Sequence, residues 1–252
     1  MRMRSIRPSN VSKILCSALF VFVVMVARGG SAATPDPEEW LKGAEAAYDR
    51  VATYTAIFHK QQRVAGRLLP EETILLKCRK KPFSLYMKWI RAPYKGSELL
   101  YVAGWNEGRV RAHRGGILRF IVRNLDPWNP GLMAGNLRPV TSVGIGYLLE
   151  SVAKNMRKAI KLNELEFSER GQETVYGRNT DILEVVFPKD KAKDYGDYRY
   201  VINQDVESKI LVRLRIYDGH NQLVENYGYE NLDLNAPLTD ADFDPRNPEY
   251  HF

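Results

Sequence analysis

A chain of 252 residues with 44% hydrophobic residues is long enough to bury a core of its own. Two cysteines are too few for a disulfide framework. The formal charge of +7 is gathered at one end: Arg2, Arg4, Arg7, Lys13 and Arg28 lie in the first 33 residues without an acid, so the remainder carries +2 and the basic pI does not argue for nucleic-acid binding.

The basic start is followed by an apolar run, Ile14 to Ala27, and then by "RGGSAAT", with Ser31 and Ala33 at the small-residue positions of a cleavage site. This is the layout of a secretory signal peptide over residues 1–33. The alternative is an uncleaved anchor, but the run is short for a bilayer span of roughly 20 residues. Cys16 is not a lipidation site, because Lys13 stands where a lipobox wants an aliphatic residue and the apolar run continues past it. Residues 34–252 are then expected as a single domain in the periplasm.

The first expected element is a helix. Asp36 is its N-cap, Pro37 its first helical residue and Glu39 the capping-box position; Trp40, Leu41, Ala44, Tyr48 and Val51 follow at helical spacing. From Tyr54 the pattern turns extended, with strands at about 54–65, 68–79, 83–91, 97–103 and 109–115, divided by turn signals at Ala65-Gly66, Lys81-Pro82, Ala92-Pro93, Gly104 and Gly115-Gly116. In the strand beginning at Phe83, the residues Phe83, Leu85, Met87 and Trp89 alternate onto one apolar face, and Ser84, Tyr86 and Lys88 form a mixed one. The cluster Arg79-Lys80-Lys81 reads as a solvated strand end. Cys78 reads as a packing residue, with no motif around it that would lower its pKa.

A loop rich in Asn, Pro and Gly is expected from Asn124 to Pro139. It leads to an amphipathic helix over about 143–161, where Ile145, Leu148, Leu149, Val152, Ala153, Met156 and Ile160 share a face. That helix is either packed on a sheet or a movable cover with flexible glycines at 131, 135, 144 and 146. Strands resume at about 164–170, 174–187, 197–203, 209–217 and 222–232, the last two joined through the Asp-Gly of "YDGHNQ". About ten strands and few helices predict a mainly β, α+β fold: a curved antiparallel sheet forming an incomplete β-barrel, with helices over its concave face.

Catalytic signals are weak. His59, His113, His220 and His251 are scattered without metal-ligand spacing, G-x-S-x-G is absent, and Gly144-x-Gly146 lacks the strand and third glycine of a dinucleotide fingerprint. Asp240, Asp242 and Asp244 have calcium-loop spacing, but Pro245 stands where that loop needs Gly and His251 where it needs Glu. Thr239 as an N-cap, with Asp242 three residues later, is the better reading. No cofactor and no metal are expected.

Four stretches carry a resemblance: a capped helix leading into "YTAIFHKQQ"; Lys81-Pro82 before "FSLYMKWIRAP"; "SELLYVAGWNEGRVRAH"; and the closing hairpin "VESKILVRLRIYDGHNQLVENYGYENLDLNAPLTDADFD". In these the chain resembles the LolA-like periplasmic lipoprotein carriers, in particular an uncharacterised branch of exported bacterial proteins with that architecture. The resemblance implies an incomplete barrel whose aromatic and aliphatic cavity accepts acyl chains, closed by helices. The cavity wall would be Phe83, Leu85, Met87, Trp89, Leu99, Tyr101, Leu148, Val152 and Met156. The carriers hold the lid through an arginine before the turn proline; here Lys81 stands there, with Arg79 close by, so both are lid-latch candidates. Implied partners are a lipid or lipidated protein, with transfer partners at the inner or outer membrane, and a monomeric carrier without covalent chemistry. The alternatives are a sensing or protein-binding module on the same fold, and a hydrolase whose site has no recognisable motif.

Overall fold

Asp36 Oδ1 accepts a hydrogen bond from Glu39 N at 2.8 Å, so helix α1 (Pro37–Asp49) begins where the Asp-Pro-Glu-Glu run places it. Leu41, Ala44 and Ala47 turn inward from it. The computed structural model describes residues 36–252, and Thr34–Phe252 forms a compact unit of its own. The leader expected over residues 1–33 lies outside the described residues.

Seven strands follow α1: β1 (Thr53–Val64), β2 (Arg67–Leu68), β3 (Glu72–Arg79), β4 (Ser84–Trp89), β5 (Glu98–Val102), β6 (Val110–His113) and β7 (Arg123–Leu125). A connecting stretch containing the one-turn helix α2 (Pro130–Met133) leads to α3 (Ile145–Leu162). Five strands complete the chain: β8 (Glu166–Val175), β9 (Arg178–Val186), β10 (Arg199–Asp205), β11 (Leu211–Tyr217) and β12 (Leu223–Asp233). All pair antiparallel in one sheet of order β7-β6-β5-β4-β3-β1-β12-β11-β10-β9-β8, with β2 added on β1. The outermost strands do not meet, so the barrel is incomplete, as expected.

Three local readings are corrected. The strand expected at 68–79 is broken, because Pro70 has no N–H for the ladder. The break expected between the strands ending at about 170 and starting at about 174 is instead a bulge: Gly171 (φ +90) lies where the β8–β9 register slips between Glu169 and Gln172. The real turn is Tyr176-Gly177, both at positive φ, the geometry of a two-residue hairpin. At the start of the loop expected from Asn124, Arg123–Leu125 pairs with β6 as an edge strand.

The helices and one face of the sheet share a single core. Seven residues of α3 are buried: Ile145, Leu148, Leu149, Val152, Ala153, Met156 and Ala159. All of these but Leu149 pack in one cluster with Leu41 and Ala47 of α1, with Tyr54, Phe58, Leu76, Leu85 and Met87 of the first half-sheet, and with Leu183, Val185, Ile202 and Leu214 of the second. The mixed face of β4 is also covered. Tyr86 and Leu100 form a second cluster with Phe243 and Tyr250 of the C-terminal segment, and the Tyr86 and Tyr250 rings stack at 3.8 Å. That segment begins as read: Asp242 Oδ2 accepts from Thr239 N at 2.9 Å and opens a turn over Asp240–Phe243. Each aspartate of the calcium-like spacing has a cation: Asp240 has Arg79 (2.5 Å), Asp242 has Lys77 (2.9 Å) and Asp244 has Arg246 (2.7 Å).

Candidate functional site

The inward positions of β1 change character along the strand. Tyr54, Ala56 and Phe58 are apolar, while Lys60 and Gln62 are polar, and all five are buried. The polar end of β1 lies at a cavity of about 890 Å³, in the size range of ligand pockets. Phe58, Met87, Leu99, Leu148, Tyr227 and Tyr229 supply its aromatic and aliphatic lining. Its cover is two connections: residues 93–97 between β4 and β5, and the strap from about 114 to 143 that runs from β6 to α3. Tyr94, Leu118 and Ile121 line the cavity and are also 47%, 41% and 51% exposed, so they mark its mouth.

Two buried polar clusters fasten the strap. Lys60 Nζ lies 2.7 Å from Glu72 Oε1 and donates to Asn136 Oδ1 at 2.5 Å, while Glu72 Oε2 accepts from Trp89 Nε1 at 2.6 Å. Arg138 reaches Glu225 with both arms of its guanidinium, one at 2.8 Å. Glu225 also accepts from Tyr227 Oη, which accepts in turn from Gln62 Nε2 at 2.5 Å. Gln62 Oε1 then takes Leu137 N at 3.2 Å. Buried charges persist only when paired and hydrogen-bonded, and each member here is. Burial opposes the charge on Arg138, but the Glu225 carboxylate outweighs it and holds the guanidinium pKa above its ordinary value. Burial, reinforced by Glu225, pushes the Tyr227 hydroxyl well up. Two cavity-lining groups have no hydrogen-bond partner among the described residues: Tyr229 Oη and His113 Nε2.

Of the residues expected on the wall, Met87, Trp89, Leu99 and Leu148 line this cavity. Phe83 lines a smaller pocket of about 280 Å³ with Tyr48, Tyr54 and Val143, and its ring lies 6.1 Å from that of Tyr101. Leu85, Val152 and Met156 are packed in the core between sheet and helices. Arg79 donates to Ser84 Oγ at 3.0 Å and to Asp240, and Lys81 is exposed. The start of α3 is held by another residue, Tyr54, whose hydroxyl accepts from Ile145 N at 3.0 Å. Farther along, Arg157 forks onto Glu45 of α1 at 2.7 and 2.8 Å. Lys60, Glu72, Arg138 and Glu225 were not anticipated as site residues. The signal for Lys60 was present in "AIFHKQ", where alternation puts it on the face of Phe58.

Burial pushes the Cys78 thiol up to about 12, which suits a packing role. Among the described residues no group of three or more His, Cys, Asp or Glu is placed to hold a metal ion, and no helix is long and apolar enough to cross a membrane.

Residues 51–252 match the family described as "Protein of unknown function (DUF1571)". The chain belongs to this family. No curated protein matches it. Among solved structures, the DUF1571 chain is similar to the Mycobacterium tuberculosis lipoprotein LppX, at 13% identity and a TM-score of 0.50, covering 83% of this chain and 100% of LppX. It is also similar to LprF from Mycobacterium bovis (15% identity, TM-score 0.47, 82% of this chain and 97% of LprF). MucB gives 16% identity and a TM-score of 0.49 over 82% of this chain, which spans only 62% of MucB. The likeness to LppX is one of fold: an open antiparallel sheet with helices over one face, the lipoprotein-carrier type of fold that the sequence resembles.

Proposed function

We propose that this DUF1571 protein is a periplasmic carrier that holds the acyl chains of a lipid or lipidated protein, without covalent chemistry. The observation that carries the reading is the cavity of about 890 Å³, walled by Phe58, Met87, Leu99 and Leu148 and closed by connecting segments rather than by sheet. The magnitudes are sufficient. Burying a chain of about 14 carbons yields on the order of 11 kcal/mol at about 0.8 kcal/mol per methylene. Association costs of about 4–15 kcal/mol offset much of this, so two chains bind usefully where one binds weakly. The orphaned Tyr229 Oη can donate to an ester or carboxylate oxygen of such a ligand, and His113 Nε2, whose ring donates through Nδ1 to Arg114 O, can accept from a ligand hydroxyl.

The test uses residues 34–252 purified without detergent, with mass spectrometry of the organic extract and titration of a fluorescent fatty acid. Ala112 lines the cavity, so Ala112→Trp fills it from the sheet side. The expected result is co-purified acyl lipid, and probe binding weakened at least about tenfold, or 1.4 kcal/mol, by Ala112→Trp. Absence of both extracted lipid and probe binding in the wild type would overturn the carrier reading and leave a protein-binding module.

A further inference from the structure

The strap carries an unusual surface. Ile117, Leu118, Phe120 and Ile121 are 92%, 41%, 77% and 51% exposed, within five residues of chain. Interleaved with them are Arg114, Arg119 and Arg123, all exposed. From Arg109 to Leu125 there are five arginines and no acid. Of these five, only Arg109 has a carboxylate partner among the described residues, Glu107 at 3.1 Å. The Arg119 guanidinium lies over the Phe120 ring at 4.7 Å, so cation and apolar tip are presented together.

A second connection joins this surface. A Cβ at Gly115 would lie 2.0 Å from Lys95 O, and Gly115 N donates to Ser97 Oγ at 3.0 Å, so the loops at 94–97 and 114–121 are in backbone contact. Tyr94 and Lys95, both exposed, therefore sit beside the apolar tip. Tyr94, Leu118 and Ile121 are the same residues that mark the mouth of the cavity.

We infer that this patch docks the protein on the surface of a bilayer containing anionic lipids, with the cavity mouth against the headgroups. Exposed aliphatic and aromatic tips with interleaved cations suit the boundary between headgroups and acyl chains: the tips enter the apolar layer and the arginines remain with lipid phosphates. A patch of cations without carboxylates is complementary to an anionic surface and has no ion pairs to give up on binding. The inference goes beyond the carrier reading, because docking does not require the cavity to be filled.

The test is flotation of residues 34–252 with phosphatidylcholine vesicles, with and without about one-third phosphatidylglycerol, at about 0.1 M and 1 M salt. Two variants are compared, Ile117→Ser with Phe120→Ser, and Arg119→Glu with Arg123→Glu. Their side chains are exposed, and unchanged thermal melts are expected. Flotation with anionic vesicles at low salt is expected, falling about tenfold or more in either variant and at high salt. Fatty-acid probe binding in solution should be unchanged in the serine variant, which separates docking from cavity filling. Wild type that ignores anionic vesicles, or variants that float as well as wild type, would overturn the inference. So would joint loss of vesicle and probe binding in the serine variant, which would tie those residues to the cavity. A wild type that ignores vesicles but dimerises through these residues would overturn it in favour of a protein interface.

Discussion

Gly144 has φ +108, and a Cβ there would lie 2.7 Å from Tyr54 Oη, the atom that accepts from Ile145 N. At Gly146 a Cβ would lie 2.6 Å from the Tyr48 ring. These glycines, expected to be flexible, are where the start of α3 is pressed against two tyrosines. Gly144→Ala is expected to cost about 2–4 kcal/mol, from strained φ and overpacking together, read from denaturant unfolding. Glu98 is a second informative residue. It is 1% exposed and accepts from His251 N at 3.1 Å, with His251 Nδ1 at 2.7 Å and Lys88 Nζ at 3.0 Å. Burial pushes its pKa up, but the hydrogen bonds from His251 and Lys88 outweigh this and hold it below the ordinary value. A depressed folded pKa means that the stability Glu98 lends is present above the unfolded carboxylate pKa of about 4.3, and is lost as pH falls through the folded value. Wild type should therefore lose stability more steeply than Glu98→Gln below about pH 4.3, in denaturant titrations at a series of pH values.

At the scale of elements, the strap and α3 differ in what holds them. Helix α3 buries seven side chains, whereas α2 in the strap buries none. Hydrogen exchange should open residues 130–138 well before α3, and Arg138→Ala should widen the gap by leaving Glu225, 2% exposed, without its partner. Exchange in the strap as slow as in α3 would contradict this. Strands such as β1, β3 and β11 were readable from alternation because each buries at least one face, whereas the edge strand β7 buries none of its three residues and gave no such signal. The coverage of the second face of β4 was not, because Phe243 and Tyr250 lie far along the chain from Tyr86 and nothing local announces them. Tyr86→Ala should accordingly cost about 3–5 kcal/mol in thermal or denaturant unfolding, as for a fully packed aromatic. The expected strand break between about 170 and 174 falls on the Gly171 bulge, a few residues before the turn at Tyr176-Gly177, because a glycine at positive φ occurs at both places and local sequence does not tell bulge from turn. At the site, the apolar wall at Met87, Trp89, Leu99 and Leu148 could be anticipated. The tethers of the strap could not, since Arg138–Glu225 and Lys60–Asn136 join positions set by tertiary folding alone.

The whole molecule must tolerate an open sheet. One edge, β7, is three residues long. The other, β8, carries Glu166, Glu169, Arg170 and Glu173 and is kinked by the Gly171 bulge. Short, charged and bulged edges resist pairing with other chains. Glu169→Val with Gln172→Val should raise light scattering on concentration or mild heating, while unchanged scattering would show that the bulge alone protects this edge.

The order of strands also fixes a timetable for assembly. The strand β1 lies between β3 and β12, and Gln62 faces Glu225 across the seam. Strands β3 to β7 can zip onto β1 by successive hairpins as soon as they exist, and β8 to β12 can do the same among themselves. The seam can close only after nearly all of the sequence is available, and it brings together the most distant partners, the slow class of pairing. Until then the inner edge of β1 is bare, with Phe58 and Tyr54 beside it. The longest strand of the first half therefore spends the time before completion with one edge unpaired. A chaperone acting on the unfinished chain has most to shield there, on the very strand that ends up at the centre of the sheet.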